Sequence, residues 1–268
     1  IYYEYYPLFM SKNKKTILLN GSLGRMGEAI IDEIDKNYPK IKILHAVENS
    51  AHPEINKVLK NNLIIEKLPK KFSVDFIIDF SVPSSSMKLA RIASKLNIPI
   101  VIGTTGFSNM QIKELHKISK KIPILQSYNM SIGINLMVKM IRENFEYFNS
   151  TDLEIIEKHH KFKVDSPSGT ALLIADNIAK LKKKKLNSIV KYRTKSSNLK
   201  RLPNEIGISS IRGGNTVGEH TLLSYGPNEN ISITHEALSR SVFASGSIEL
   251  GLKLISKKNG FFSAIELL

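Results

Sequence analysis

Residues 154–171, which read EIIEKHHKFKVDSPSGTA, contain the side chains best suited to chemistry. An apolar run ends at His159 and His160, and Lys163 follows four residues after His159. A histidine titrates near neutral pH, so it can donate or accept a proton during turnover, and Lys163 can supply positive charge or a proton. This spacing predicts acid–base chemistry on an anionic substrate.

A helix is predicted to begin near the end of this segment, at Ser168, Gly169 and Thr170, with Ser168 as the N-cap. The N–H groups of a helix N-terminus, together with two basic side chains, can hold a carboxylate. A simpler interpretation stays open, because paired histidines often lie on the surface and lysines are often solvated. We predict no metal site at the two histidines, since adjacent strand residues face opposite sides.

A second group of candidate residues is the glycine loop at positions 21–27, GSLGRMG. Gly21, Gly24 and Gly27 allow a tight turn and a close approach of the backbone to a pyrophosphate. The spacing GxxGxxG is a variant of the usual GxGxxG, and a glycine turn needed only for packing is the alternative. A strand pattern before the loop, a helix pattern after it and Glu48 at the end of the second predicted strand favour a dinucleotide site.

The residues beside Glu48 bear on which nicotinamide nucleotide binds. Glu48 suits the hydroxyls of an adenine ribose, and Asn49 stands where an arginine would help to hold a 2′-phosphate. The pair therefore favours NADH, while Arg25 in the glycine loop and the nearby His52 leave NADPH open.

Two further loops follow predicted strands, at the edge where open α/β sheets bind ligands. They are residues 103–106 (GTTG) and 127–130 (SYNM), which offer backbone amides and small polar side chains to a nicotinamide. Ordinary turn chemistry is the alternative for both.

Short apolar runs alternate with amphipathic helical patterns up to about residue 125, which is typical of βαβ units and a parallel sheet. The predicted strands are 16–20, 41–47, 74–80, 98–102 and 122–125. Three helices are predicted between them: one covers 28–36, the second ends near residue 96 and the third ends near residue 120. After residue 129 the pattern predicts a long helix over 131–149, a strand over 152–158 and a helix over 168–181. A β-rich stretch (206–211, 220–224 and 231–234) and a last helix near 240–257 follow.

The composition excludes several classes of protein. The chain of 268 residues has no cysteine, which rules out disulfides, a cysteine zinc site, an iron–sulfur cluster and a thiol nucleophile. It also fits a reducing compartment, and we expect a cytoplasmic protein. No apolar run approaches the ~18–20 residues of a membrane span, so no membrane association is predicted.

The formal net charge of +15 is compatible with nucleic-acid binding, but arginine, which favours phosphate and base contacts, accounts for only seven of the 39 basic residues. Frequent lysine, isoleucine and asparagine are typical of AT-rich codons. We therefore interpret most lysines, including the run at 182–185, as solvated surface and predict no nucleic-acid partner.

Residues 1–9, IYYEYYPLF, lack the basic start and the cleavage site of a signal peptide. The stretch from Met10 is typical of an ordinary start before a first strand. Our hypothesis is that residues 1–9 are a non-native or disordered extension. A truncation starting at Met10 that lost activity or stability would contradict it.

Several motifs together resemble the 4-hydroxy-tetrahydrodipicolinate reductases, also called dihydrodipicolinate reductases, of diaminopimelate and lysine biosynthesis. They are GRMG, VIGTTGF, NxSxGxN at 129–135, EKHHKFKVDSPSGTA and VGEHT, in the family's order from about Lys15 to near the C-terminus. The HHxxKxDxPSGTA stretch is highly specific, whereas the glycine loop is not.

The resemblance implies an α/β fold with an N-terminal Rossmann-like parallel-sheet domain (10–130 and 241–268) and a C-terminal α+β domain with a mixed sheet (131–240). The second domain would bind substrate and pack its sheet with others into a homotetramer. NADH or NADPH would deliver hydride to a cyclic, conjugated imine dicarboxylate, giving tetrahydrodipicolinate.

The resemblance also implies roles for individual residues. His159 and Lys163 match the proton donors, and Arg240 is placed near the substrate with less support. The contacts to the substrate carboxylate match His160, Gly169 and Thr170. The dinucleotide contacts match Gly21, Ser22, Leu23, Gly24, Arg25, Met26, Glu48, Gly103, Thr104, Thr105, Ser127, Tyr128, Asn129 and Met130.

The chain departs from the family pattern in three places. Asn49 stands where many members carry arginine, which argues against NADPH. Leu23 and the pair Ser127 and Tyr128 replace residues that are usually small, which would reshape the cofactor cleft without abolishing it. Two rival functions remain: another Rossmann amino-acid dehydrogenase, of the aspartate or homoserine type, and a non-catalytic basic binding protein. The second rival leaves the glycine loop and the histidine pair unexplained.

Overall fold

The computed structural model describes residues 14–59, 63–193 and 200–268, so the hypothesis on residues 1–9 lies outside the described residues. The chain divides into two compact units. The first unit, called the N-terminal unit below, comprises the described residues up to Ile132 together with Ser241–Leu268. The second, called the substrate unit after its predicted role, comprises the described residues of Gly133–Arg240.

The strands and helices alternate through the first part of the chain. The strands are β1 (Lys15–Asn20), β2 (Ile41–Val47), β3 (Ile65–Glu66), β4 (Phe76–Asp79), β5 (Ile100–Ile102), β6 (Pro123–Gln126), β7 (Asp152–His159), β8 (Val190–Tyr192), β9 (Ile206–Arg212), β10 (Gly218–Tyr225), β11 (Asn230–Ala237) and β12 (Gly260–Phe262). The helices are α1 (Arg25–Asn37), α2 (Pro83–Leu96), α3 (Asn109–Ile118), α4 (Ile132–Glu143), α5 (Phe145–Asn149), α6 (Gly169–Leu181), α7 (Leu186–Ile189) and α8 (Ser241–Leu254), and a 3-10 helix covers Ile265–Leu267.

The N-terminal unit is built on a seven-stranded sheet in the order β12-β6-β5-β4-β1-β2-β3. Every neighbouring pair in it is parallel. Both faces of the sheet are apolar and are covered by helices. α2 and α3 pack on one face, and α1 and α8 pack on the other. Helices on both faces of a parallel sheet are the Rossmann-like arrangement, so this part of the predicted fold class is confirmed.

The substrate unit is built on a five-stranded sheet in the order β11-β10-β7-β9-β8. β10 runs antiparallel to β7 and β11, whereas β7, β9 and β8 run parallel, so the predicted mixed sheet is confirmed. Side chains of β7 alternate between a buried and a half-buried face, and α6 packs against this strand. The end of β7 and the start of α6 carry the predicted substrate residues.

The single helix predicted over 131–149 is wrong, because α4 ends at Glu143 and α5 begins at Phe145. Asn144 between them has φ −113° and ψ 28°, and its side-chain amide donates to the Met140 carbonyl at 2.9 Å. An asparagine that bonds the preceding turn in this way competes with the helical backbone. Strands β3, β8 and β12 were not predicted, since two or three residues are too few to show a period.

Among the described residues, no helix has both the length and the apolar character that a membrane crossing requires.

Candidate active site

A cleft of about 720 Å³ opens in the N-terminal unit where β1, β2 and β4 end. In a parallel sheet this carboxyl-end edge is where ligands bind. The lining combines backbone of the glycine loop with polar and basic side chains, including Glu48, Asn49, Ser81, Lys67 and Lys88. The cleft therefore has the position and the polarity that a dinucleotide requires.

The glycine loop is held tightly against the end of β4. Gly21 has φ +82°, and a Cβ added there would lie 2.3 Å from the Phe80 carbonyl oxygen. A Cβ on Gly27 would lie 2.2 Å from the Gly21 oxygen, so α1 packs directly on the loop. Gly24 precedes α1 without a side-chain cap, which leaves N–H groups of the first turn for a phosphate.

Glu48 joins the end of β2 to the glycine loop. Its Oε2 accepts from the Leu23 N–H at 3.2 Å and its Oε1 from the Asn49 N–H at 2.9 Å. Each carboxylate oxygen retains a lone pair that can accept a ribose hydroxyl. The acidic group thus stands at the adenosine end of the predicted cofactor site.

The other predicted loop residues divide between packing and exposure. The buried Ser22 donates its hydroxyl to the Val47 carbonyl at 3.2 Å, and Met26 packs against the core. Arg25 is exposed at the start of α1. Ser22 and Met26 therefore shape the loop with their side chains, and Arg25 is accessible to a ligand.

The loops after β5 and β6 reach the same edge of the sheet. In the first, a Cβ on Gly103 would lie 2.2 Å from the Phe80 ring, Thr104 is buried and Thr105 is exposed. In the second, Ser127 donates its hydroxyl to the Asn129 carbonyl at 2.8 Å.

Within this second loop, the buried Asn129 accepts the Ser131 N–H at 2.8 Å through its side chain. Met130 lies in the core, whereas Tyr128 is 64% exposed. Of the four predicted residues at 127–130, Tyr128 offers the most accessible side chain.

A buried polar cluster that the sequence did not reveal links three strand ends. The Asn20 amide donates to Asp79 at 2.7 Å, Ser81 donates to the same carboxylate at 2.6 Å, and Thr104 donates to its second oxygen at 3.3 Å. Burial raises the pKa of Asp79 even though these hydrogen bonds oppose the shift. Polar residues ending two buried strands, at Asn20 and Asp79, were the available signal.

In the substrate unit, Glu157 and His159 lie on the buried face of β7. Glu157 Oε2 and His159 Nδ1 are 2.5 Å apart. Arg212, the register partner of His159 on β9, donates from Nη1 to Oε2 of Glu157 at 2.9 Å and from Nη2 to Oε1 at 2.8 Å. The result is a histidine backed by a carboxylate–guanidinium pair whose carboxylate is fully buried.

These contacts shift the titration of both groups. Burial favours the neutral form of Glu157, but hydrogen bonds from Arg212, Ser210 and His159 outweigh it and lower its pKa to about 2. Burial lowers the pKa of His159, and the Glu157 carboxylate opposes that shift. Glu157 is therefore ionised at neutral pH, whereas His159 can exchange a proton.

The start of α6 lies beside this pair, and the predicted Ser168 N-cap is confirmed. The Ser168 hydroxyl accepts from the Ala171 N–H at 3.2 Å and lies 3.0 Å from His220 Nε2. The Ser168 N–H donates to Glu157 Oε1 at 3.2 Å. A Cβ on Gly169 would meet nothing within 4 Å, so the helix N-terminus is open.

The loop between β7 and α6 carries the remaining predicted residues. Lys163 Nζ donates to Asp165 at 2.8 Å, and the lysine side chain is 20% exposed. Among the described residues, the buried Nδ1 of His160 has no hydrogen-bond partner. After burial, the positive charges of Lys163 and Arg212 also lower the pKa of His159.

The structure thus brings His159 and Lys163 to one end of the substrate unit with the start of α6, where Gly169 and Thr170 lie. Arg240 is exposed at the end of this unit, and its predicted place near the substrate stays a prediction. Across the described ranges, no group of three or more histidine, aspartate or glutamate side chains is arranged to hold a metal ion.

Sequence reasoning assigned no role to Glu157, Arg212, Gly218 and His220 in this unit, although the motifs EKHHKFKVDSPSGTA and VGEHT contain all of them except Arg212. Glu157 carried a usable signal, because a residue two positions before His159 shares its face of the strand. Arg212, Gly218 and His220 come from distant positions in the chain, and the sheet register is what brings them beside His159.

Comparison with known proteins gives concordant matches over both units. A family model described as "Dihydrodipicolinate reductase, N-terminus" matches residues 15–130, and "Dihydrodipicolinate reductase, C-terminus" matches residues 133–268. The 4-hydroxy-tetrahydrodipicolinate reductase of Buchnera aphidicola subsp. Cinara cedri is 41% identical, covering 96% of this chain and 98% of the relative. That of Caldanaerobacter subterraneus is 38% identical, covering 94% and 97%.

Solved structures share the fold. The dipicolinate-bound dihydrodipicolinate reductase of Paenisporosarcina sp. has a TM-score of 0.75 at 20% identity, covering 95% of this chain and 100% of that one. A myo-inositol dehydrogenase of Corynebacterium glutamicum has a TM-score of 0.58 at 16% identity, covering 95% and 94%.

Proposed function

The chain belongs to the dihydrodipicolinate reductase family, and on that premise we propose how its residues reduce 4-hydroxy-tetrahydrodipicolinate to tetrahydrodipicolinate. The 4-hydroxyl would leave as water together with a proton from the neighbouring ring carbon, and the conjugated imine so formed would take up a hydride from a nicotinamide nucleotide and a proton. The observation that carries the assignment is the buried Glu157–His159 pair beside the open N-terminus of α6. It provides a proton-exchanging group next to an anion-binding helix end.

The cofactor site we propose is the cleft at the strand ends of the N-terminal unit. Its residues fit a dinucleotide. A Cβ at Gly21 or Gly27 would overlap backbone oxygen atoms, so only glycine allows the tight loop that brings the backbone close to a pyrophosphate. The N–H groups at the start of α1 would hold the pyrophosphate, and Glu48 the adenosine ribose. The loops at 103–105 and 127–130 would contact the nicotinamide half. A bound nicotinamide nucleotide supplies the hydride.

The substrate dicarboxylate, in this proposal, is held at the start of α6. The N–H groups of Gly169 and Thr170 lie in the first turn, where the helix dipole favours an anion. The unpartnered Nδ1 of His160 and the ammonium group of Lys163 provide further hydrogen-bond donors for the carboxylates. Lys163 would exchange its exposed partner Asp165 for a substrate carboxylate, which costs little because Asp165 is 60% exposed.

Proton delivery is assigned to His159 and Lys163. His159 is the better placed of the two for repeated exchange, because its Nδ1 is held by Glu157 and its Nε2 is directed toward Gly218, which has no side chain. Lys163 adds positive charge as negative charge develops on the substrate.

A coupled assay tests the function. Purified dihydrodipicolinate synthase generates the substrate in situ, and NADH absorbance is followed with and without this protein. We expect NADH oxidation only when synthase and protein are both present, and no oxidation or reduction of the nucleotide with aspartate or homoserine. Absence of synthase-dependent oxidation would overturn the proposal.

We expect NADH to be preferred over NADPH. In the proposed site, the Glu48 carboxylate, which accepts from the Leu23 and Asn49 N–H groups, would repel a 2′-phosphate, and the neighbouring Asn49 is uncharged. The KM for NADPH should exceed that for NADH, and Asn49→Arg should lower the NADPH value by roughly tenfold, as a new charge-assisted contact would. Lys67 and Lys88 line the same cleft, so a strong NADPH preference in the unmodified protein would contradict the assignment and point to these lysines.

A homotetramer formed through the five-stranded sheet is also proposed. The face of this sheet opposite His159 carries the partly exposed Leu223, with Ile211 49% and Tyr225 42% exposed. Light scattering should give the mass of four chains, and Leu223→Arg should reduce it. Met110→Arg is the matched control, because Met110 is 81% exposed in the N-terminal unit. A monomer in the unmodified protein would refute the tetramer.

The lysine-rich surface is assigned no nucleic-acid partner. Lys182 of the run 182–185 follows the last turn of α6 and donates to Asn149 at 3.1 Å and Asn204 at 3.4 Å. Lys182 is the C-cap residue of α6, so the run lies at a helix C-terminus, where positive charge is favourable. We place the enzyme in the cytoplasm on the basis of its cysteine-free composition and its biosynthetic role.

A further inference from the structure

We infer that Glu157, held by Arg212, is a positioning residue that fixes which nitrogen of His159 exchanges the proton and ties that ring to the N-terminus of α6. This inference rests on the proposed role of His159 as a proton donor. Neither Glu157 nor Arg212 belongs to the site residues implied by the sequence motifs.

The first step of the argument is that Glu157 receives only hydrogen-bond donors. Its Oε1 accepts from Arg212 and from the Ser168 N–H, and its Oε2 accepts from Arg212 and faces His159 Nδ1. The side chain is 0% exposed, and although burial favours its neutral form, hydrogen bonds from Arg212, Ser210 and His159 lower its pKa to about 2. At working pH it is an ionised carboxylate, which can only accept.

Because the carboxylate cannot donate, His159 Nδ1 must carry a hydrogen in both charge states of the ring. The neutral ring is therefore the Nδ1–H tautomer, and Nε2 is the atom that gains and loses the proton. A Cβ on Gly218 would lie 3.1 Å from this Nε2. Glycine at this position keeps a side chain away from the exchanging atom.

A second histidine completes the support of the ring. His220 lies edge-on to His159, with ring centroids 5.1 Å apart at 75°. Burial, followed by the charge of His159, lowers the pKa of His220 to about 3, so His220 is neutral at working pH. Its Nε2 lies 3.0 Å from the Ser168 hydroxyl, so it supports the ring and the helix cap without adding charge.

Arg212 extends the same connection to the Lys163 loop. Its Nη2 donates to the Asp165 carbonyl at 2.7 Å as well as to Glu157. One carboxylate and one guanidinium therefore join the end of β7, the end of β9, the Lys163 loop and the start of α6. The proposed proton donor and anion-binding turn are held in a fixed relation by this pair.

The direction of the pH effect follows from the charges that face His159. Glu157 raises the His159 pKa, whereas Lys163 and Arg212 lower it, and His220 is neutral. Glu157→Gln removes the only opposing negative charge among these groups. The limb of kcat/KM that reports loss of the His159 proton should therefore move to lower pH, by about one unit or more.

The amide of Glu157→Gln should also reverse the tautomer. Its oxygen would take the place of Oε1 and keep the bonds from Arg212 Nη2 and the Ser168 N–H. The NH₂ group would then replace Oε2, where it faces His159 Nδ1 and gives up the bond from Arg212 Nη1. Nδ1 would then have to accept, and the neutral ring would carry its hydrogen on Nε2. The ¹⁵N shifts of the His159 ring distinguish the two tautomers, and the His159→Gln spectrum identifies which signals belong to it.

The experiment compares the unmodified enzyme with Glu157→Gln, Glu157→Asp and Glu154→Gln. Glu154→Gln is the matched control, because Glu154 lies on the opposite face of β7 and binds Arg193 and Arg201. We expect an Nδ1–H tautomer in the unmodified enzyme, a shifted pH limb and reversed tautomer in Glu157→Gln, and partial rescue of the limb in Glu157→Asp. Glu154→Gln should keep the original limb.

The outcomes separate this inference from the role of His159. An Nε2–H tautomer in the unmodified enzyme overturns the inference. This measurement does not depend on whether any variant folds. An unmoved pH limb in a folded Glu157→Gln, with His159→Gln inactive, also overturns it and leaves the role of His159 intact. Near-normal turnover of His159→Gln would instead remove the proposed function on which the inference rests.

Discussion

Replacing His159 by glutamine is expected to lower kcat by about 10²–10⁴-fold, the usual range for loss of a general acid. Glutamine retains much of the polarity and size of the ring but cannot act as a general acid or base near neutral pH. The cofactor cleft lies among residues of the N-terminal unit, so the KM for NADH should stay close to its original value. Steady-state kinetics with the coupled synthase assay measure both quantities.

The control for this variant is His45→Gln. His45 Nδ1 lies 2.6 Å from Glu66, so it is also a histidine paired with a carboxylate, but it lies on β2 of the N-terminal unit, whereas the proposed proton donors belong to the substrate unit. We expect near-normal kcat there, and a large loss in Lys163→Ala. Near-normal turnover in both His159→Gln and Lys163→Ala would show that the proton comes from another group.

Gly21→Ala should raise the KM for NADH by more than about tenfold and lower the melting temperature. The residue has φ +82°, where an L side chain costs about 1–2 kcal/mol, and the new Cβ would start 2.3 Å from the Phe80 carbonyl oxygen. Relief of that overlap would push the loop away from β4, at about 1–3 kcal/mol for an overpacked site. Thermal unfolding and cofactor titration measure the two effects.

Gly24→Ala separates backbone strain from a simple loss of glycine in this loop. Gly24 has φ −73°, and its added Cβ would lie 3.4 Å from the Gly21 oxygen, an ordinary contact. Its melting temperature should match that of the unmodified protein. If Gly21→Ala kept both the original melting temperature and the original KM, the tight loop would not be what holds the cofactor.

Much of the fold was accessible from the sequence, because the relevant signals are local. Apolar runs such as 41–47 recur between helical patterns, and that alternation is enough to predict a parallel sheet. The break at Asn144 was missed because apolar spacing continues through it, while the side-chain bond to Met140 that accompanies it depends on geometry.

The proposed site was partly accessible for a similar reason. His159, Lys163 and Gly169 fall within one short segment, so their spacing alone marks them as candidates. Arg212 and His220 reach the same place through the pairing of β7 with β9 and β10, and no local pattern encodes that pairing. The contiguous residues were therefore found, and the side chains that hold them were not.

The buried carboxylate of Glu157 has a consequence for acid resistance. Its pKa is about 2 in the folded chain, and its usual value of 4.5 applies to the unfolded chain. Ionised Glu157 therefore stabilises the folded chain, and this contribution is complete at pH values above 4.5. That gain diminishes as the pH falls from 4.5 toward 2, when the proton begins to bind the folded form as well. Many active sites trade stability for activity. Here the same negative charge serves both, so selection for a sturdier protein and selection for a faster one would retain the same residue.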